Sequence, residues 1–297
     1  MFSAMSRHTV FPNASMDQVQ CTNDEATASK AHSIRRGYWV DPYMKYFCPI
    51  PSAATPEISR GYFVRVQTFE AMTKRFIQDF NGECQVVNLG AGSDTLFFRL
   101  KSVEIQPKVF VEIDLPGNVK KKIVTLRRLD VWEPTNSSSF AVATPESHRS
   151  LNAASYHLLS HDLRLPPLSS ELPTLFLAEC VLVYIPTASS EALIKSLASH
   201  FTNAAFINYE QVQTYTASTV LSSSQASFLR WKTVSRGLEV DTNAVVGKGK
   251  HPVYASQTCT ILTTKTELSR RLAALNTRTQ RVMIDPNTSD LLQRGMQ

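Results

Sequence analysis

Long apolar runs are missing from this chain. The stretches with the most apolar character, such as 174–186, are interrupted by Glu179 and fall short of the roughly 20 residues that a membrane-spanning helix needs. Residues 1–29 lack an apolar segment behind a basic start and are rich in Ser, Thr, Asn and Asp. A mobile tail is expected there rather than a secretory leader, and a cytoplasmic location follows by default. Cysteine is scarce and scattered: Cys21, Cys48, Cys84, Cys180 and Cys259 never approach a C-x-x-C or Cys/His spacing, so reduced thiols and no metal are expected. Internal repeats are absent too, which argues against solenoids and propellers. The formal charge of +6 is not spread along the chain: residues 213–297 hold 11 Lys/Arg against 5 Asp/Glu, and residues 1–212 hold 20 of each. A neutral core offers no polyanion site, so no nucleic-acid partner is expected.

What is present is an alternation of helix and strand. Over 55–80 the apolar residues Ile58, Tyr62, Val66, Phe69, Met72, Phe76 and Phe80 recur at steps of three and four. Thr55 stands before them as an N-cap and Pro56 at the first helical position, which predicts a long amphipathic helix. Strands are expected at 85–89, 108–113, 156–160, within 174–185 and at 204–209, and helices at 94–101, 116–129 and 187–200. The strands are near-continuous apolar runs, as in a parallel sheet covered on both faces. The fold class is therefore α/β, a doubly wound, mostly parallel sheet whose ligand lies beyond the carboxyl ends of its strands. The polar stretch 133–155 reads as a surface insertion. Three segments result: a tail over 1–29, a core over 30–212, and a basic, Ser/Thr-rich region over 213–297. In that last region only 253–262 is convincingly strand-like, and weak or irregular structure is expected.

Asn88-Leu89-Gly90-Ala91-Gly92-Ser93-Asp94-Thr95 follows the first strand and opens a helix, the place where glycine lets backbone approach a nucleotide. A tight turn that binds nothing is the plainer reading. Thr95 stands where a dinucleotide fingerprint would have Gly or Ala, which disfavours a pyrophosphate and hence NAD. S-adenosylmethionine carries no phosphate and needs only the turn and an acid for its ribose. Asp114, at the end of the second strand, is that acid or else a helix cap before Pro116; Glu112 points to the same side but lies within the strand. Asp162 after the third strand suits the adenine amino group, with Leu163 offering its amide. Glu179, a carboxylate inside an apolar run, is expensive to bury unless partnered, by the cofactor's ammonium or by a nearby Lys or Arg. Arg65 stands beside the buried face of the long helix, where its planar fork suits a carboxylate; a surface arginine lying on apolar neighbours is the alternative.

Read together, Gly37-Tyr38-Trp39-Val40-Asp41-Pro42-Tyr43, Arg60-Gly61-Tyr62-Phe63-Val64-Arg65-Val66, residues 88–95, residues 178–184 and Ile207-Asn208-Tyr209-Glu210-Gln211-Val212 resemble the leucine carboxyl methyltransferase family in order and spacing. The resemblance implies transfer of a methyl group from S-adenosylmethionine to the α-carboxylate of the C-terminal leucine of the protein phosphatase 2A catalytic subunit, by a protein expected to be monomeric. It places the family's cofactor contacts on Lys30, Arg65, Gly90, Asp114, Asp162, Leu163 and Glu179. A C-terminal carboxylate, with a pKa near roughly 3.5, is already ionised at neutral pH and needs no general base. Positioning then dominates, and Arg65 and Tyr184 are the candidate catalytic residues for orienting carboxylates. Beyond Val212 the resemblance stops. If the antiparallel strands that close the family's sheet are missing, the fifth strand becomes an exposed edge. Two other readings stand beside the enzyme: a catalytically impaired protein that binds the cofactor or the phosphatase, and a methyltransferase for tRNA wybutosine precursors or small acids.

Overall fold

The computed structural model describes residues 16–129, 150–152, 155–160, 168–213, 239–241, 245–246 and 255–263. Helix α1 (Met16–Arg35) leads through a loop to the short α2 (Met44–Phe47) and then to α3 (Pro56–Asp79). The α/β alternation follows: β1 (Gln85–Leu89), α4 (Leu96–Lys101), β2 (Val109–Asp114), α5 (Pro116–Leu126), β3 (Ser150–Asn152), β4 (Tyr156–Ser160), β5 (Thr174–Glu179), α6 (Thr187–His200) and β6 (Ala204–Gln213). Three further strands, β7 (Glu239–Asp241), β8 (Val245–Val246) and β9 (Ala255–Thr263), complete the sheet. Among the described residues no helix is long and apolar enough to cross a membrane.

The strands lie in the order β3-β4-β2-β1-β5-β6-β9-β7, with β8 also paired to β9. The five strands from β4 to β6 are mutually parallel, whereas β3 runs antiparallel to β4 and β9 antiparallel to β6. The chain moves outward from β1 to β2 and β4, then returns to β5 on the other side. The order therefore reverses between β1 and β5, where a crevice opens outside the carboxyl ends.

Alternation along each strand feeds two cores. Val86, Phe110, Leu158, Leu175 and Leu177 pack with Phe69, Met72 and Phe76 of α3, Phe97 and Phe98 of α4, and Val119 and Ile123 of α5. Val87, Val111, Phe176 and Phe206 face the other way, toward Ile194 of α6 and Phe201. Burying each such side chain contributes about 1.5–3 kcal/mol. The start of α3 is set as its sequence predicts, with Thr55 Oγ1 accepting from the Ile58 N–H and Pro56 at the first position.

Three expectations need correction. The segment expected as a tail is helical from Met16 onward. Among the described side chains the buried stripe of α1 consists of Thr27, Lys30, Ala31 and Ser33, so hydropathy carries no sign of it. The two hydroxyls are satisfied by the Asn23 and Ser29 carbonyls four residues back, at 2.6 and 2.8 Å. Residues 150–152, inside the expected surface insertion, form β3 on the edge of β4. Finally, β6 is not an open edge, because β9 pairs with it from Ala205↔Thr263 to Gln213↔Ala255. The region over 213–297 thus supplies an antiparallel neighbour through the segment read as strand-like.

Candidate functional site

The site is built at the switch point. Gly90 follows β1 at φ +64 and Glu179 ends β5. After Glu179 the chain turns through Cys180 at φ +55, its N–H donating to the Tyr209 carbonyl at 2.8 Å. A left-handed non-glycine residue costs about 1–2 kcal/mol and is retained where surrounding structure imposes it, a pattern that clusters at functional sites.

Lys30, Arg65 and Glu179 come together from α1, α3 and β5. Lys30 Nζ lies 2.8 Å from Glu179 Oε1, and Arg65 Nε donates to the same oxygen. Arg65 Nη2 donates in addition to the Glu179 main-chain carbonyl at 3.2 Å. The three side chains are only 9–11% exposed, so the surface reading of Arg65 fails. The Tyr62 ring, 5.2 Å from the guanidinium carbon, backs Arg65. Burial pushes the Glu179 carboxyl up, but Arg65 and Lys30 beside it outweigh that and hold it below the ordinary carboxylate range. Two cations share the Glu179 carboxylate at this point, and Asp94 adds a second carboxylate that acts on both Lys30 and Glu179.

Asp94, read from sequence as the start of a helix, stands just before it, since α4 begins at Leu96 with Thr95 as its N-cap. Asp94 Oδ1 accepts from the Thr95 and Leu96 N–H groups at 2.7 and 3.1 Å, and Oδ2 accepts from Asn88 Nδ2 at 3.0 Å. Burial raises its pKa, and the fields of Lys30, Arg99 and Lys122 overcome this and lower it. Thr95 is fixed into a buried group behind the loop, donating to Asp41 Oδ2 and accepting from Arg99 Nη1. Asp41 also accepts from the Tyr43 and Met44 amides.

Asp114 ends β2 and accepts on both of its oxygens, while the N-cap of α5 is Leu115. One oxygen accepts from the Gly92 N–H, and the other from the Leu115 N–H at 2.6 Å and Asn118 Nδ2 at 2.8 Å. A carboxylate offers about four lone-pair sites, so room for a further donor remains. Glu112 is fully buried, bound to Lys122 and to Tyr156 OH, away from the open end. Tyr184 lies in a one-turn 3-10 helix (Leu182–Tyr184) five positions past Glu179. Asp162 and Leu163 fall outside the described residues. Asn23 was not singled out from the sequence. Its Oδ1 accepts from the Ser93 N–H at 2.9 Å and its Nδ2 donates to Ser93 Oγ at 3.2 Å.

These contacts bear on which nucleotide fits. The Thr95 and Leu96 amides at the start of α4, which a pyrophosphate would use, are already taken by Asp94. A Cβ at Gly90 would stand 2.5 Å from Val181 Cγ2, so Val181 packs directly on the Gly90 backbone and leaves no room for a side chain. Lys30, Arg65 and Glu179 thus offer donors and an acceptor side by side, and Asp114 a carboxylate with a free acceptor site, at the carboxyl ends of the strands.

A sequence model described as leucine carboxyl methyltransferase matches residues 18–198, more than half of the chain. The probable leucine carboxyl methyltransferase 1 of Caenorhabditis briggsae is 37% identical over 216 residues, covering 68% of this chain and 65% of its own length. For the Bos taurus leucine carboxyl methyltransferase 1 the figures are 36% over 207 residues, 65% and 62%. The human tRNA wybutosine-synthesizing protein 4 is 32% identical over 211 residues, 66% of this chain and 31% of that protein. The chain thus spans just under two thirds of the length of these two leucine carboxyl methyltransferases.

Proposed function

Because the chain belongs to the leucine carboxyl methyltransferase family, we propose that it binds S-adenosylmethionine at the carboxyl ends of β1, β2 and β5 and methylates a protein α-carboxylate. The proposed substrate is the C-terminal leucine of the protein phosphatase 2A catalytic subunit, met by a cytoplasmic monomer. The observation that supports this reading is the convergence of Lys30, Arg65 and Glu179 from three separate elements. When bound, the cofactor supplies a methyl group made electrophilic by its sulfonium.

The chain's own residues bind and orient. Lys30 and Arg65 keep N–H donors beyond those given to Glu179, and a guanidinium fork holds carboxylates in a fixed plane. Asp114 accepts from the ribose, with Asp162 and Leu163 assigned to the adenine. Since the target carboxylate is already ionised, no residue is asked to remove a proton. Arg65 and Tyr184 hold that carboxylate in line, where loss of translational freedom before reaction supplies much of the acceleration.

A second reading, cofactor binding without turnover, is favoured by one observation: the family match stops at residue 198, while β6 and β9 lie beyond it. The test combines calorimetry of S-adenosylmethionine binding with incorporation of labelled methyl into intact phosphatase catalytic subunit, into a version lacking its terminal leucine, and into tRNA. Leucine-dependent labelling supports the enzyme. Binding without labelling supports the second reading, labelling of tRNA moves the substrate, and a folded chain that binds nothing refutes the cofactor site.

A further inference from the structure

Alternation along β2 places Glu112 and Asp114 on the same side of the strand. One turn of α5 separates Asn118 from Lys122, which puts both on the helix face that meets that side. Asn118 Nδ2 holds Asp114 at 2.8 Å, and Asp114 in turn accepts from the Gly92 N–H. Lys122 Nζ pairs with Glu112, and its second bond runs to the Asp94 main-chain carbonyl at 2.6 Å. Strand acids and helix side chains therefore grip the two ends of the loop 92–94.

Lys122 and Glu112 are 1% and 0% exposed at their side chains. Burying such a pair is costly, and an apolar pair of similar volume would often serve stability as well or better. Glu112 even keeps one oxygen, Oε1, buried without a partner. Burial pushes its carboxyl up, against the field of Lys122. A pair maintained under these conditions calls for a role that apolar residues could not fill. The bond from Lys122 to the Asp94 carbonyl is such a role, because the Asp94 carboxylate holds the Thr95 and Leu96 N–H groups at the end of the loop and lies in the field of Lys30.

We infer that Lys122 is a positioning residue for the cofactor loop, acting through the Asp94 carbonyl with Glu112 as its counter-ion. This rests on the cofactor reading above, but the loop anchoring is measurable without any ligand. The decisive variant is Glu112→Gln combined with Lys122→Met, which leaves no unpaired charge buried. Three quantities are read on the full chain: thermal midpoint, amide exchange of residues 92–96 without cofactor, and the Kd for S-adenosylmethionine by calorimetry.

The double variant should melt close to the unmodified protein while its loop amides exchange faster and its Kd rises, each by about tenfold or more for a lost charged hydrogen bond. Tyr156→Phe is the control for a merely structural role, since it removes a bond to the same Glu112 oxygen without touching Asp94. It should leave loop exchange unchanged. Equal acceleration in Tyr156→Phe, or a folded double variant with unchanged exchange and Kd, overturns the inference. If the double variant does not fold, Lys122→Met alone decides: Glu112, whose carboxyl burial already pushes up, can take a proton once Lys122 is gone, so faster loop exchange in the folded variant supports the role of Lys122 and unchanged exchange refutes it. If the unmodified protein fails to bind S-adenosylmethionine, the cofactor reading falls, and the exchange contrast still decides the anchoring.

Discussion

Replacing Glu179 with glutamine removes the one carboxylate that two buried cations share. Lys30 and Arg65 would be left beside each other at about one-tenth exposure. Taking away one partner of a buried pair typically costs about 3–5 kcal/mol, because the remaining charge is desolvated without compensation. In a domain of roughly 150–250 residues each kcal/mol shifts the midpoint by about 2–4 °C, so Glu179→Gln should melt roughly 6–20 °C lower. Differential scanning calorimetry at neutral pH measures this, and Lys30→Met added to Glu179→Gln should recover part of the loss. The pH dependence gives an independent check. The folded carboxyl titrates below its unfolded value. It therefore contributes stability above the ordinary carboxylate range, and that contribution is lost as pH falls from about 4.3 toward the lower folded value. The gap between the two proteins should narrow through that window. A gap under about 1 kcal/mol at neutral pH, the range of a solvent-exposed pair, would refute the reasoning, since the cations would then have found water.

Three further outcomes are expected. Asp41→Ala should cost about 3–5 kcal/mol in urea unfolding, because its fully buried side chain accepts from two amides, Thr95 Oγ1 and Arg99 Nη1. Gly90→Ala should weaken both folding and S-adenosylmethionine binding, with Val181→Ala relieving the collision but leaving about 1–2 kcal/mol for the left-handed backbone at φ +64. A chain ending at Gln213 loses β9 and bares the edge of β6 along its whole length; light scattering should show self-association, and a monomer of unchanged stability would refute the covering role of β9.

The parallel core was legible because its signals are local. A short apolar run ends at a turn in β1, β4 and α6, and their expected bounds coincide with those found. The long α3 was legible through its period and its Thr55-Pro56 start. Helix α1 was not, because Thr27, Lys30, Ala31 and Ser33 form its buried face and are held by side-chain bonds and a salt bridge rather than by apolar contact. For the same reason Lys30 enters the sequence reading only through family resemblance: an isolated lysine in a polar stretch carries no sign that it is buried against a carboxylate 149 positions away. The start of α4 was placed two residues early, at Asp94, because an Asp before an apolar run reads as a helix start while the helix begins at Leu96 after Thr95.

The amides of residues 90–96 show why the site reads a ligand by its side chains. The Gly90 and Ala91 N–H groups donate to the Ile113 carbonyl at 2.7 and 3.3 Å, and the Asp94 N–H donates to the Ala91 carbonyl at 2.8 Å. Gly92 donates to Asp114, Ser93 to Asn23, and Thr95 and Leu96 to Asp94. Each N–H from residue 90 to residue 96 thus already has an acceptor, and displacing one by a ligand would strand a buried partner at about 1–3 kcal/mol. On the proposed reading, charge recognition is then left to Lys30, Arg65 and Asp114, each delivered by a different element. The loop stands fully bonded before any ligand arrives, so little ordering cost is left to be met on binding. Specificity for a phosphate-free nucleoside then follows from what the loop withholds as much as from what the surrounding side chains offer.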